Sequence, residues 1–114
     1  MIKSGVDIVY NKRFEKLAED PRFLKRIFHP FELKNKKKLA GIFVLKEATM
    51  KALGKKINWL DLEIKSVEGE KPEVRLSKEI TPHNLVSIDG SVSHDGDYTI
   101  GFVVIELNII YIIS

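Results

Sequence analysis

Two carboxylates and one ammonium sit where an apolar side chain would be the ordinary choice. Asp7 interrupts the β-branched run Gly5-Val6-Asp7-Ile8-Val9-Tyr10. Aspartate is locally unfavourable in a strand, so it marks a bulge, an edge or a site. Glu47 and Lys51, with Lys46, are the few polar interruptions in the apolar stretch from Ala40 to Gly54. Two carboxylates with the remaining positions left to water suit Mg²⁺. That ion takes oxygen ligands at about 2.0–2.1 Å and commonly completes its shell with substrate phosphate oxygens. Lys51 beside them would act as a point charge for phosphate. The pair Ser93-His94 could add a hydroxyl and an imidazole. Spacing alone leaves a plainer reading open, because Glu47 and Lys51 are four apart. On a helix that is also an ordinary surface ion pair, worth about 0.2–0.5 kcal/mol. The P-loop, the dinucleotide fingerprint, zinc-ligand spacing and the nucleophile elbow are all absent. His29 and His83 have no partner pattern and read as surface or turn residues, and Trp59 reads as core.

These side chains need elements to hold them. Ala40 to Gly54 predicts one helix, largely buried, with Gly54 suited to the left-handed position just past its end. Gly5 to Tyr10 predicts a strand with Asp7 on the face opposite Val6 and Ile8. Asn11 is placed to cap a short helix over 12–18. Asp20-Pro21 starts another, with Asp20 as N-cap and Pro21 at the first helical position. Phe23, Leu24, Ile27 and Phe28 form its apolar stripe, and His29-Pro30 ends it. Beyond the long helix, strands are expected over 60–67, 74–76, 86–93 and 98–107, with Val86, Ile88 and Val92 facing inward and 93–97 as a polar turn. The tail 108–114 is β-prone and would extend the sheet or pack on a partner chain. If the first strand packs beside the long helix, Asp7 and Glu47 converge. The fold class is α+β, with a largely antiparallel sheet packed against a long central helix.

The 114 residues make one domain, 1–114, of ordinary soluble composition, 44% hydrophobic and 31% charged. No cysteine is present, which excludes disulfides and thiolate chemistry and fits a reducing cytoplasm. The N-terminal apolar run is too short for a signal peptide, and no segment has the length of a membrane span. Charge is uneven. Residues 12–38 carry ten Lys/Arg against four Asp/Glu, a net +6 in a chain of net +3. Such a stretch implies an acidic partner or a solvated face. A non-catalytic basic binding module, for RNA or an acidic protein, is the alternative. Against RNA, Phe14, Phe23, Phe28 and Phe31 fall at core spacing rather than as a stacking platform.

Taken together, the chain resembles the holo-[acyl-carrier-protein] synthase family, the small trimeric 4′-phosphopantetheinyl transferases. The stretches that carry the resemblance are Gly5-Val6-Asp7-Ile8-Val9 and Phe43 through Gly54 with its Lys-Glu-Ala-x-x-Lys-Ala-Leu-Gly pattern. Trp59 with Asp61-Leu62-Glu63-Ile64, Gly69-Glu70-Lys71-Pro72, and Val92-Ser93-His94 with Asp97-Tyr98 follow in order.

The resemblance implies Mg²⁺ held by Asp7 and Glu47 against the diphosphate of coenzyme A. It implies Lys51 at phosphate, His94 near the coenzyme A phosphates, and Gly69, Lys71 and Pro72 bordering the nucleotide from a neighbouring subunit of a homotrimer. Arg13 matches a basic residue at the carrier-protein surface, which Arg22, Lys25 and Arg26 extend by position. The implied reaction moves the phosphopantetheine arm of coenzyme A to a serine of apo-acyl carrier protein, in the cytoplasm and without nucleic acid or membrane. Three positions depart from the family pattern. Tyr10 stands where Glu is common and Ile42 where Arg is common. Gly54-Lys55-Lys56 stands where Gly-Thr-Gly is common.

Overall fold

The structure is a computed structural model that describes residues 1–109. Strand β1 (Ile2–Tyr10) leads into helices α1 (Asn11–Leu17) and α2 (Pro21–Ile27). Two 3-10 turns, Glu32–Lys34 and Lys36–Lys38, lead to helix α3 (Leu39–Leu53). A 3-10 turn at Trp59–Asp61 precedes β2 (Leu62–Lys65), β3 (Glu73–Leu76), β4 (Leu85–Asp95) and β5 (Tyr98–Leu107). Pairing is antiparallel throughout, in a three-stranded sheet of order β1-β5-β4 and a two-stranded sheet β2-β3. The expected α+β class holds.

Helix α3 lies on one face of the larger sheet and crosses β4, β5 and β1 in turn. Gly41 meets Val92 on β4, Val44 meets Gly101 on β5, and Ala48 and Ala52 meet Gly5 on β1. A Cβ at Gly101 would stand 2.8 Å from the Val44 backbone, and one at Gly5 would collide with the Ala48 carbonyl. The two glycines therefore let backbone approach backbone. That close approach is why a polar residue on β1 can reach α3 at all. The helix ends as expected, with Gly54 left-handed at φ 74° and its N–H on Met50 and Lys51 carbonyls.

The core joins Val44, Leu45 and Ala48 of α3 to Val103 and Ile105 of β5, Val9 of β1 and Ile64 and Val74 of the small sheet. An aromatic cluster closes its other side. Phe14 lies 5.3 Å from Phe43 and 6.0 Å from Phe23, and Phe43 stacks on Trp59 at 5.4 Å. Three of the four aromatics of the basic stretch are thus packed as their spacing predicts. Phe31 is the exception, exposed and stacked on His29.

Several local expectations are corrected. Asn11 does not cap α1 but is its first residue, and its side chain is engaged elsewhere. The strand predicted over 60–67 is shortened to Leu62–Lys65, because Asn58 caps a 3-10 turn by accepting from Leu60 N–H. Val86 is exposed rather than inward, because the register slips between Leu85 and Ser87 and turns it out. The polar segment 93–97 is mostly strand, with only Gly96-Asp97 turning. Ser93 and His94 therefore point to opposite faces and do not act as a pair. Asn108 and Ile109 lie outside any strand, and the rest of the predicted tail element lies outside the described residues. Among the described residues no helix is long and apolar enough to cross a membrane.

Candidate active site

Strand alternation puts Gly5, Asp7 and Val9 on the helix side of β1. Gly5 and Val9 are buried against α3, and Asp7 between them reaches the flank of the helix. Glu47 and Lys51 are one turn apart on α3, so the convergence expected of the strand and the helix is present. Lys51 Nζ sits 3.2 Å from Asp7 Oδ1 and also donates to the Val6 carbonyl at 2.9 Å. The lysine thus bridges to the strand rather than pairing back along its own helix. Glu47 takes part in no ion pair among the described residues.

Glu47 is half-buried, and burial raises its pKa above the ordinary carboxylate value. The charge of Asp7 raises it further, against the lowering pull of Lys51 and Lys56. With the Asp7 charge acting on Glu47 and Lys51 engaged at Asp7 and the Val6 carbonyl, the two carboxylates carry negative charge that a cation would neutralise. The donor set is hard oxygen, and no third His, Cys, Asp or Glu joins it among the described residues. That suits an ion that keeps several water or phosphate positions, as Mg²⁺ does, better than one needing a closed protein cage. Asp7 and Glu47 fit as its holders.

His94 lies toward the end of β4, opposite Thr99 of β5. The buried Thr99 hydroxyl lies 2.7 Å from Asn11 Oδ1, to which it donates, and 3.0 Å from His94 Nδ1. Nδ1 is thus engaged within the fold, which leaves Nε2 as the nitrogen to face a ligand. Asn11 is itself fixed by its backbone N–H on the Asp97 carbonyl, 2.7 Å. Asn11 and Thr99 thus orient the imidazole, and neither is legible as such in sequence. The hydrogen-bonding types were visible, but only the β1–β5 register brings them together.

His94 borders two hollows. One, of about 340 Å³, is lined by Lys37, Lys38, Ile42, Lys71, Pro72 and Ser91 among others. The other, of about 520 Å³, is mostly apolar, with Phe14, Leu24, Leu33, Leu39 and Ala40 in its wall. Lys71 and Pro72 thus stand around the same hollow as His94. Lys71 is drawn 2.7 Å from Asp89 of β4. Gly69 is in the turn before them at φ 77° and does not line the hollow.

Arg13 on α1 and Arg22, Lys25 and Arg26 on α2 are all exposed. Arg22 reaches Asp20, whose side chain caps α2 as expected by accepting from Arg22 N–H at 2.9 Å. Between α1 and α2, Lys16, Arg22 and Arg26 border a shallow hollow of about 600 Å³ that also exposes Leu17. Two residues depart from their sequence reading. His29 is no free turn residue, since its Nε2 meets the Leu62 carbonyl at 3.2 Å. Lys46 is no ordinary polar interruption, since it is wholly buried and paired at 2.8 Å with Glu32.

A model of the 4′-phosphopantetheinyl transferase superfamily matches residues 3–103. This chain belongs to that superfamily. It is 39% identical to holo-[acyl-carrier-protein] synthase of Helicobacter pylori strain P12, over 90% of this chain and 96% of the relative. The solved structure of the Helicobacter pylori synthase in complex with coenzyme A superposes at a TM-score of 0.80 with 38% identity. It covers 93% of this chain and 100% of that one. The Neisseria meningitidis synthase superposes at 0.81 with 30% identity, over 93% and 99%. The resemblance read from the motifs and the expectation of a phosphopantetheinyl transferase both stand.

Proposed function

We propose that this transferase moves the 4′-phosphopantetheine arm from coenzyme A to a serine of apo-acyl carrier protein, releasing 3′,5′-ADP, with Mg²⁺ held by Asp7 and Glu47. The observation that carries the reading is the half-buried Glu47 beside Asp7, short of positive charge, with Lys51 at its edge. The relative from Helicobacter pylori was solved with coenzyme A bound, which supports the same cosubstrate here.

In the reaction the serine oxygen bonds to the β-phosphorus of coenzyme A. The bond from that phosphorus to the bridging oxygen breaks, and the bridging oxygen leaves on 3′,5′-ADP. Glu47 is also the candidate acceptor for the serine proton, directly or through a water it holds. Lys51 turns from Asp7 to the diphosphate and offsets charge on the leaving oxygens. Mg²⁺ supplies charge neutralisation and in-line orientation of the diphosphate when bound. His94 presents Nε2 to a phosphate, and Lys71 and Pro72 border the nucleotide, with Gly69 shaping their turn. The Arg13, Arg22, Lys25 and Arg26 surface docks the acidic carrier, and its charge steers association.

The homotrimer also belongs to this reading. Val6, Ile8 and Phe102 stand exposed at 54%, 56% and 44% on the sheet face away from α3. Val6 pairs with Phe102 and Ile8 with Ile100, so they form one apolar patch, of the kind that marks a contact between chains. Active sites would then lie at subunit boundaries, with the protein in the cytoplasm.

The test is the mass of an apo-acyl carrier protein after incubation with this protein, coenzyme A and Mg²⁺. A gain of one phosphopantetheine, lost with EDTA and with Glu47→Ala, is the expected result. No gain with folded protein and several carriers would overturn it.

A further inference from the structure

Among the described residues one ion pair is completely buried, and the proposed reaction does not use it. Lys46 and Glu32 are both at 0% side-chain exposure, 2.8 Å apart. The three ammonium protons have three acceptors: Glu32 Oε1, the Ile27 carbonyl at 2.7 Å and the Trp59 carbonyl at 3.4 Å. Glu32 is equally saturated. Its Oε1 also accepts from His29 N–H at 2.8 Å, and its Oε2 from Ile64 N–H at 2.9 Å. The Phe28 ring lies 5.7 Å from the ammonium.

The pair gathers four pieces of chain at one point: the end of α2, the turn at Glu32–Lys34, the turn before β2, and β2 itself. Buried pairs of this kind contribute little net stability, since desolvation offsets most of the attraction. What they do provide is a fixed geometry.

The address of the pair is informative. Lys46 directly precedes Glu47 on α3. Where α3 comes closest to β1 and β5 the contacts are backbone on backbone, at Gly5 and Gly101, with the Leu45 side chain against Gly90 of β4. Backbone contacts without interlocking side chains fix distance more firmly than rotation about the helix axis. A roll of about 10° at a side-chain radius of about 5–6 Å carries a carboxylate about 1 Å. A misplacement of that size costs about 10²-fold in rate. Lys46, bonded to acceptors on fixed neighbours, blocks that roll. The same ammonium holds the last carbonyl of α2, the helix that carries Arg22, Lys25 and Arg26.

We infer that Lys46 and Glu32 are positioning residues: the buried pair sets the rotation of α3, and through it the place of Glu47 opposite Asp7, and ties that place to the carrier-docking helix. This rests on the reading of Asp7 and Glu47 as the metal holders given above.

The experiment compares wild-type protein with Lys46→Met/Glu32→Gln, which removes both charges together so that neither is left buried alone. Glu32→Gln by itself is the second variant: it is milder in geometry, since Lys46 keeps its two carbonyl acceptors, and harsher in electrostatics, since the ammonium is left without a countercharge. Mn²⁺ binding is read by calorimetry, kcat and KM are read per folded molecule, and folding is read by circular dichroism. Mn²⁺ binding about tenfold weaker and kcat lower by about ten- to a hundredfold are expected, with KM for coenzyme A nearly unchanged. Glu32→Gln moves the same way by less, and serves alone if the double variant does not fold. Folded variants with wild-type Mn²⁺ affinity and kcat, whatever their melting temperature, would overturn the inference and leave the site reading intact. Wild-type protein that takes up no Mn²⁺ would overturn the metal reading and the inference with it.

Discussion

Lys51 Nζ lies 3.2 Å from Asp7 Oδ1, joining a residue of the first strand to the last turn of the central helix. The contact exists because Gly5, two residues earlier, lets the strand settle onto the backbone of Ala48 and Ala52. One lysine thereby holds one carboxylate of the site while the other, Glu47, stays unpaired. On the proposed reading, a cation at Asp7 would take the place of the lysine and release Lys51 toward phosphate.

Removing either carboxylate tests that exchange. Asp7→Asn and Glu47→Gln are expected to lower carrier modification by at least about 100-fold, the scale on which loss of one transition-state contact is felt. Their circular dichroism should match wild type. A discontinuous assay of holo-carrier by mass resolves the loss.

The metal-free protein should show a pH dependence of its own. The folded-state pKa of Glu47 is raised above its unfolded value. Its contribution to stability is then fully present below the ordinary carboxylate pKa and is lost as the pH rises through the raised value. In EDTA, wild-type melting temperature should fall across that window relative to Glu47→Gln. Mg²⁺ should restore it. Parallel melting curves for the two proteins would count against the shift.

Gly5→Ala is expected to destabilise by about 3 kcal/mol or more, because the new methyl meets the Ala48 carbonyl rather than a side chain that can move. Urea unfolding measures it. The surviving folded fraction should also lose activity, since β1 must back away from α3 and carry Asp7 with it.

Arg22→Glu/Arg26→Glu should raise KM for the carrier about tenfold or more while leaving KM for coenzyme A unchanged. Added salt should weaken wild-type association more than that of the variant. Stopped-flow binding at two ionic strengths separates the two.

Phe102→Glu should shift the protein from an assembled state to monomer in analytical ultracentrifugation. The change places a charge in the apolar patch opposite Val6. Loss of activity alongside would place the boundary between chains at the site.

Much of this was legible in the sequence, and for an identifiable reason. Asp7, Glu47 and Lys51 stand out because each interrupts an apolar pattern, and a pattern of period 2 or 3.6 can be read without knowing what it packs against. Gly54 and the Asp20-Pro21 start were readable for the same reason, being local chemistry. What was not legible depends on register. Val86 turned outward through a one-residue slip that no propensity encodes. Asn11 had every mark of a cap, yet its carboxamide serves Thr99, a partner 88 residues on. Lys46 sits in the same helix as Glu47 and Lys51 and looks like them in sequence. Only its burial against Glu32 separates Lys46 from Glu47 and Lys51, the residues proposed to meet the substrate.

The pairing of β1 with β5 also has a consequence for how the protein is made. Ile2 pairs with Glu106 and Tyr10 with Tyr98, so β1 has no sheet partner until β5 has been made. Until then Val6, Ile8 and Val9 wait on an open backbone, and α3 waits with them, because its packing partners lie on both strands. Any truncation inside β5 therefore removes more than a strand. It leaves Asp7 with no surface to stand on, and a nascent chain in which two strands distant in sequence must meet before either carboxylate is in place.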